Sequence, residues 1–81
     1  MNQNFAIRIR ELRESLNQTQ AEFSEKINVA QAALSTYEKG TRKPTLDTLI
    51  IISKAFNVSV DWLCGFSEYR SIKPEFTTYS D

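Results

Sequence analysis

Gln31, Ala32, Ser35 and Thr36 are short polar or methyl-bearing side chains that helical spacing, about 100° per residue, brings onto one arc. The Gln31 amide offers a donor and an acceptor side by side, Ser35 and Thr36 carry hydroxyls, and Ala32 presents a methyl group. Lys39, Arg42 and Lys43 follow, three positive charges within five residues that suit the neutralisation of an anion. This is recognition chemistry rather than bond-breaking chemistry. Taken alone, such an arc is also what an ordinary solvated helix face looks like, and the cations what a solvated loop looks like.

Composition leaves little room for catalysis. The 81 residues contain no His and one Cys, so no zinc cluster, Ser-His-Asp triad or Cys-His pair can be assembled from them. Ser, Lys and carboxylates are present, but no motif gathers them. The expectation is a protein that is not an enzyme and needs no cofactor, metal or evident small-molecule ligand. The longest apolar run, Leu49 to Ile52, is far short of the ~20 residues of a membrane span. The first five residues, Met-Asn-Gln-Asn-Phe, lack the basic start and apolar stretch of a secretory signal. A lone Cys64 forms no internal disulfide and is expected as a small buried hydrophobe. A soluble, cytoplasmic protein without a membrane partner fits these features. Ten basic and ten acidic residues cancel, but unevenly: residues 1–44 carry net +2 and residues 45–81 net −2. Charge balance therefore does not exclude an acidic polymer as partner, and it predicts weak non-specific binding.

The elements that must position these residues are short helices. Phe5, Ile9, Leu12 and Leu16 recur at spacings of four, three and four, a buried stripe for a first helix from Asn4 to Leu16. Thr19 caps a second helix, Gln20 to about Ile27, with Glu22 completing a capping box and Ala21, Phe23, Ser24 and Ile27 facing inward. Asn28 makes a left-handed turn into a third helix, which packs Ala30, Ala33, Leu34 and Tyr37 and stops at Gly40. Thr45 caps a fourth over Leu46 to Phe56, with Leu46, Leu49, Ile52 and Phe56 buried, and Asn57 ends it. Ser59 caps a fifth, Val60 to Cys64, closed by Gly65. The expected fold is all-α, one five-helix domain over residues 1–65, followed by an extension over residues 66–81. The extension holds Phe66, Tyr69, Phe76 and Tyr79, too aromatic for a purely solvated tail.

Helices two and three, joined through Asn28-Val29, have the outline of a helix-turn-helix. From Phe5 to Gly65 the chain resembles the lambda-repressor-like, Xre-type (Cro-like) family of bacterial and phage regulators. The resemblance is carried by IRELRESL and by TQAEFSEKINVAQAALSTYEKGTRKPTLDTLIIISKAFNVSVDWL, with Gln20 opening helix two, then Ser35, Glu38, a basic residue before Gly40, and Pro44. It implies that helix three lies in the major groove of double-stranded DNA. Gln31 would then read the N6/N7 edge of adenine, Ala32 meet a thymine methyl, and Ser35 and Thr36 contact bases or phosphates. Gln20 matches a position that meets a phosphate, and Lys39, Arg42 and Lys43 suit the backbone. Arg13 and Glu38 match an internal ion pair, while Arg8 and Arg10 are left for phosphate or solvent.

The implied function is a sequence-specific transcriptional regulator, a repressor that binds a palindromic operator as a homodimer. Dimer contacts around the fifth helix would involve Trp62, Leu63 and Phe66. Three positions depart from the family pattern without physical conflict: Asn28 and Asn57 replace Gly, and Ser24 replaces a small Ala. Ile50 and Ile51 are apolar where at least the second is usually polar, which points to an added interface covered by the extension or by a second subunit. Two other readings use the same sequence: a protein-interaction module, such as an antitoxin or an antagonist of another regulator, and an activator or controller of a restriction-modification operon.

Overall fold

The computed structural model describes residues 2–71. Among them are five helices, α1 (Asn2–Ser15), α2 (Gln20–Lys26), α3 (Gln31–Lys39), α4 (Leu46–Phe56) and α5 (Val60–Leu63). None is long and apolar enough to cross a membrane.

Local chemistry sets the boundaries. The Thr19 hydroxyl accepts the Glu22 amide at 3.1 Å while the Glu22 carboxylate accepts the Thr19 amide at 2.9 Å, a reciprocal box at the head of α2. The Thr45 and Ser59 hydroxyls accept from the amides of Thr48 and Trp62 at the heads of α4 and α5. Each such cap contributes about 1 kcal/mol by satisfying an amide the helix cannot. The reversals fall at Asn17, Asn28 and Asn57, with φ of 56°, 61° and 57°, in the left-handed region that Asn tolerates better than other side chains. Gly65, at φ 84°, is needed for a second reason: a Cβ there would lie 2.7 Å from the Asn4 side chain.

The core is built from one stripe of each helix. Phe5, Ile9 and Leu12 of α1 meet Leu34 and Tyr37 of α3, Leu49 and Ile52 of α4, and Trp62 and Leu63 of α5. Phe5 and Tyr37 pack edge to face at 5.6 Å, and Phe23 stacks on Phe56 at 4.7 Å, which fastens α2 to the end of α4. α1 packs on α3 and α5, α2 on α3, and α4 on α5.

Several expected core positions differ. Leu16 is 39% exposed, because α1 stops at Ser15 and the turn through Asn17 carries its side chain off the stripe. Ala21 is exposed because it lies two residues before Phe23, roughly 200° around α2 from the face that packs. Ala30 is the extended N-cap of α3 rather than a helical residue, and it too is exposed. Leu46 is 66% exposed, since the packed face of α4 begins one turn later, at Leu49. Cys64 is half-buried, at the end of α5. Burial, and secondarily the charge of Asp61, pushes its thiol above the usual range.

The extension, as far as it is described, folds back. The Ser59 amide donates to the Arg70 carbonyl at 2.8 Å, the Ser59 hydroxyl to the Tyr69 carbonyl at 3.2 Å, and Val58 and Ser71 form a single antiparallel bridge. Residues 69–71 therefore lie along the α4–α5 turn. Phe76 and Tyr79 lie outside the described residues.

Candidate functional site

α3 is held at three points. Leu34 and Tyr37 bury one face, the Asn28 turn fixes its entry, and its C-terminus closes on Gly40 in the left-handed conformation. Gln31 and Ala32 stand exposed at its start, while Ser35 and Thr36 are half-buried one turn on. The Thr36 hydroxyl donates to the Ala33 carbonyl at 2.6 Å, so toward an outside partner it offers an acceptor and a methyl group. Gln31 is the longest of the four and makes no hydrogen bond among the described residues.

Lys39 is the last residue of α3, and Arg42 and Lys43 follow in the loop to α4. All three are exposed, with no hydrogen bond or ion pair among the described residues. Sequence reading did not single out Thr41, which ties this loop to the helix: its amide and hydroxyl both donate to the Thr36 carbonyl, at 3.1 and 3.2 Å. A hydroxyl residue directly after the C-capping glycine was the available signal.

One residue before the end of α3, Glu38 meets Arg13 in two parallel bonds, Nε to Oε2 at 2.7 Å and Nη2 to Oε1 at 3.1 Å. Their side chains are 15% and 6% exposed. The bonds to Glu38 hold the Arg13 guanidinium above its ordinary range against the opposing cost of burial, with the Glu38 charge adding to them. Arg13 Nη1 also donates to the Gln18 carbonyl at 2.9 Å. The arrangement joins α1, the α1–α2 turn and α3, and it orients them more than it stabilises them, because desolvation offsets much of the attraction. Gln20, half-buried at the start of α2, donates from Nε2 to Glu38 Oε1 at 3.1 Å.

Arg8 is not a free cation. Its Nη1 donates to the carbonyls of Trp62 and Ser67, both at 3.2 Å, Nη2 lies 3.6 Å from Glu68, and the guanidinium sits 4.9 Å from the centre of the Trp62 ring. Arg10 pairs with Glu14 one turn along, on the exposed side of α1. Trp62 and Leu63 are 4% and 0% exposed, so neither offers surface to a second subunit; the core claims both. Ile50 and Ile51 are 38% and 39% exposed and Phe66 is 82% exposed. A groove of about 240 Å³ opens between α1 and the start of α4, lined by Phe5, Leu49 and Phe66 and also by Arg42 and Lys43.

Comparison with known proteins finds the same frame. The helix-turn-helix family model matches residues 9–63. The HTH-type transcriptional regulator ImmR of Bacillus subtilis (strain 168) is 43% identical over 61 residues, covering 75% of this chain and 48% of that protein. The cryptic phage CTXphi transcriptional repressor RstR of Vibrio cholerae is 34% identical over 58 residues, covering 72% of this chain and 52% of that one. The chain thus spans about half the length of these two relatives. Among solved structures, the P22 c2 repressor in complex with a synthetic operator superposes with a TM-score of 0.73 at 31% identity, over 80% of this chain and 98% of that one.

Proposed function

The chain belongs to the lambda-repressor-like, Xre-type helix-turn-helix family, and from that premise we propose that it is a sequence-specific DNA-binding transcriptional regulator, a repressor that occupies a palindromic operator as a homodimer. The observation that carries the reading is that α3 opens on an exposed side-chain amide without an internal partner among the described residues, Gln31, and ends on three exposed cations without internal side-chain partners among them, Lys39, Arg42 and Lys43. Gln31 and Ala32 read base edges in the major groove, with Ser35 and Thr36 beside them. The cations and Gln20 hold the phosphates and set the register. The transcriptional regulator and the phage repressor it resembles, and the operator bound by the P22 c2 repressor, support this assignment. Nothing in the mechanism is chemical. Occupancy of the site blocks or recruits other proteins.

The dimer seam in this reading runs over Ile50, Ile51 and Phe66, with Leu46 added to it by its exposure. Selection of bound sites from random DNA, with the association state measured alongside, tests the whole proposal. The expected result is an enriched two-fold site whose half-sites lie about 34–36 Å apart, bound by two chains. A chain that enriches no sequence sinks the DNA reading, and a monomer on a single half-site sinks the dimer.

The same apolar surface favours one other reading, a protein-interaction module that has kept the fold. Under that reading no salt-dependent shift appears on the DNA upstream of its own gene. A transcription assay separates repression from activation.

A further inference from the structure

The Arg13–Glu38 pair has a third member. Glu38 Oε1 accepts at once from Arg13 Nη2 and from Gln20 Nε2, each at 3.1 Å, while Oε2 takes the 2.7 Å bond from Arg13 Nε. We infer that Glu38 is a positioning residue for DNA binding: it holds the Gln20 amide in the orientation in which Gln20 meets a phosphate, so the buried pair acts on affinity as well as on packing. This rests on the DNA-binding reading above and adds a residue that never touches DNA.

The physical argument has three parts. A glutamine side chain has three rotatable bonds, and one that points freely into solvent loses that freedom when it is immobilised on a ligand. The bond to Glu38 removes the freedom before DNA arrives. It also leaves work for the amide to do: Nε2 has two hydrogens, and Glu38 is its only hydrogen-bond partner among the described residues. One N–H stays for an outside acceptor while the other fixes the plane. Finally, a carboxylate next to a phosphate contact would by itself repel the phosphate. The two parallel bonds from Arg13 cancel that charge at the place where it would do harm. Arg13 is in turn anchored to the Gln18 carbonyl, two residues before Gln20, so the set spans α1, the turn into α2 and the end of α3. A pull on Gln20 is therefore shared by all three helices.

The test uses the chain, the top-ranked duplex from the random-DNA selection, a salt series and denaturant unfolding at the same temperature. Because a well-packed apolar pair commonly replaces a buried ion pair without loss of stability, Arg13→Met with Glu38→Met removes the anchor and keeps the fold. Gln20→Ala is expected to weaken binding about tenfold at every salt concentration, with the log–log slope unchanged because the amide is neutral. The double Met variant should lose a similar factor with the same slope, and adding Gln20→Ala to it should cost less than about twofold more. Full affinity in the double Met variant, or losses that simply multiply, overturns the inference and leaves the DNA reading standing. Failure to enrich any duplex overturns the DNA reading itself. If the double Met variant does not fold, the native chain decides by side-chain amide NMR. One Gln20 Hε2 proton should be protected before DNA is added and stay in place afterwards, while its geminal partner moves. An amide unprotected in the free chain overturns the inference.

Discussion

Two groups of cations in this small domain have opposite fates. At the corner where α1 meets α5, Arg8 is bonded to two carbonyls and its guanidinium lies 4.9 Å from the centre of the Trp62 ring, and Arg70 sits 5.5 Å from the centre of the same ring while its Nη2 donates to the Ser15 hydroxyl at 2.7 Å. At the end of α3, Lys39, Arg42 and Lys43 are exposed and have no internal partner among the described residues. A net charge of zero says nothing about this division. What distinguishes the groups is commitment: a guanidinium that completes carbonyls and covers an indole is part of the fold, and one with nothing to bond is available to a ligand.

That contrast can be broken from either side. Trp62→Ala removes the ring that both corner arginines cover, and it should destabilise the domain by about 3–5 kcal/mol, read by denaturant unfolding, with the salt slope of DNA binding unchanged in the folded fraction. Arg8→Met takes the donor from the Ser67 carbonyl, while that of Trp62 keeps the Gly65 amide, and should cost about 1–3 kcal/mol of stability, again without touching the slope. A change in slope for either variant would mean that the corner also faces DNA. Gln31→Ala should leave stability alone and cost about 1–3 kcal/mol of discrimination at one base pair, measured against single-base variants of the selected site. Equal loss on all sequences would remove Gln31 from base reading. Arg42→Ala and Lys43→Ala should each lower the salt slope by about one, weaken specific and non-specific binding together, and shift stability by less than about 0.5 kcal/mol. Arg70→Ala should cost about 0.5–1 kcal/mol of stability, with no effect on the salt slope, and it should appear in the tryptophan fluorescence as well.

The helices were legible because their signals are local. A capping hydroxyl acts on an amide three residues away, as at Thr19, Thr45 and Ser59, and an Asn in the left-handed region acts on its own backbone. The exposed start of α3 was legible for the same reason, since Gln31 and Ala32 share an arc wherever α3 packs. Errors came where burial depends on what lies across from a side chain. Leu46 and Leu49 carry the same apolar signal, yet the packed face of α4 takes in one and not the other. Arg8 was indistinguishable in sequence from Arg42, because its partners Trp62 and Ser67 lie 54 and 59 residues away. Trp62 and Leu63 looked as suited to a dimer seam as Phe66 does, until the core claimed them.

Composition, periodicity and capping residues by themselves determined that the described residues make five short helices, that the chain has no His for metal or triad chemistry, and that it carries a polar arc followed by three cations. Only the tertiary structure decided which cations remain available, that Glu38 receives both Arg13 and Gln20, and that residues 69–71 close over the α4–α5 turn. The reason is range. Caps and stripes are set by neighbours within one helical turn, whereas the partner of a charged side chain is whatever the packing of distant segments brings within hydrogen-bond reach.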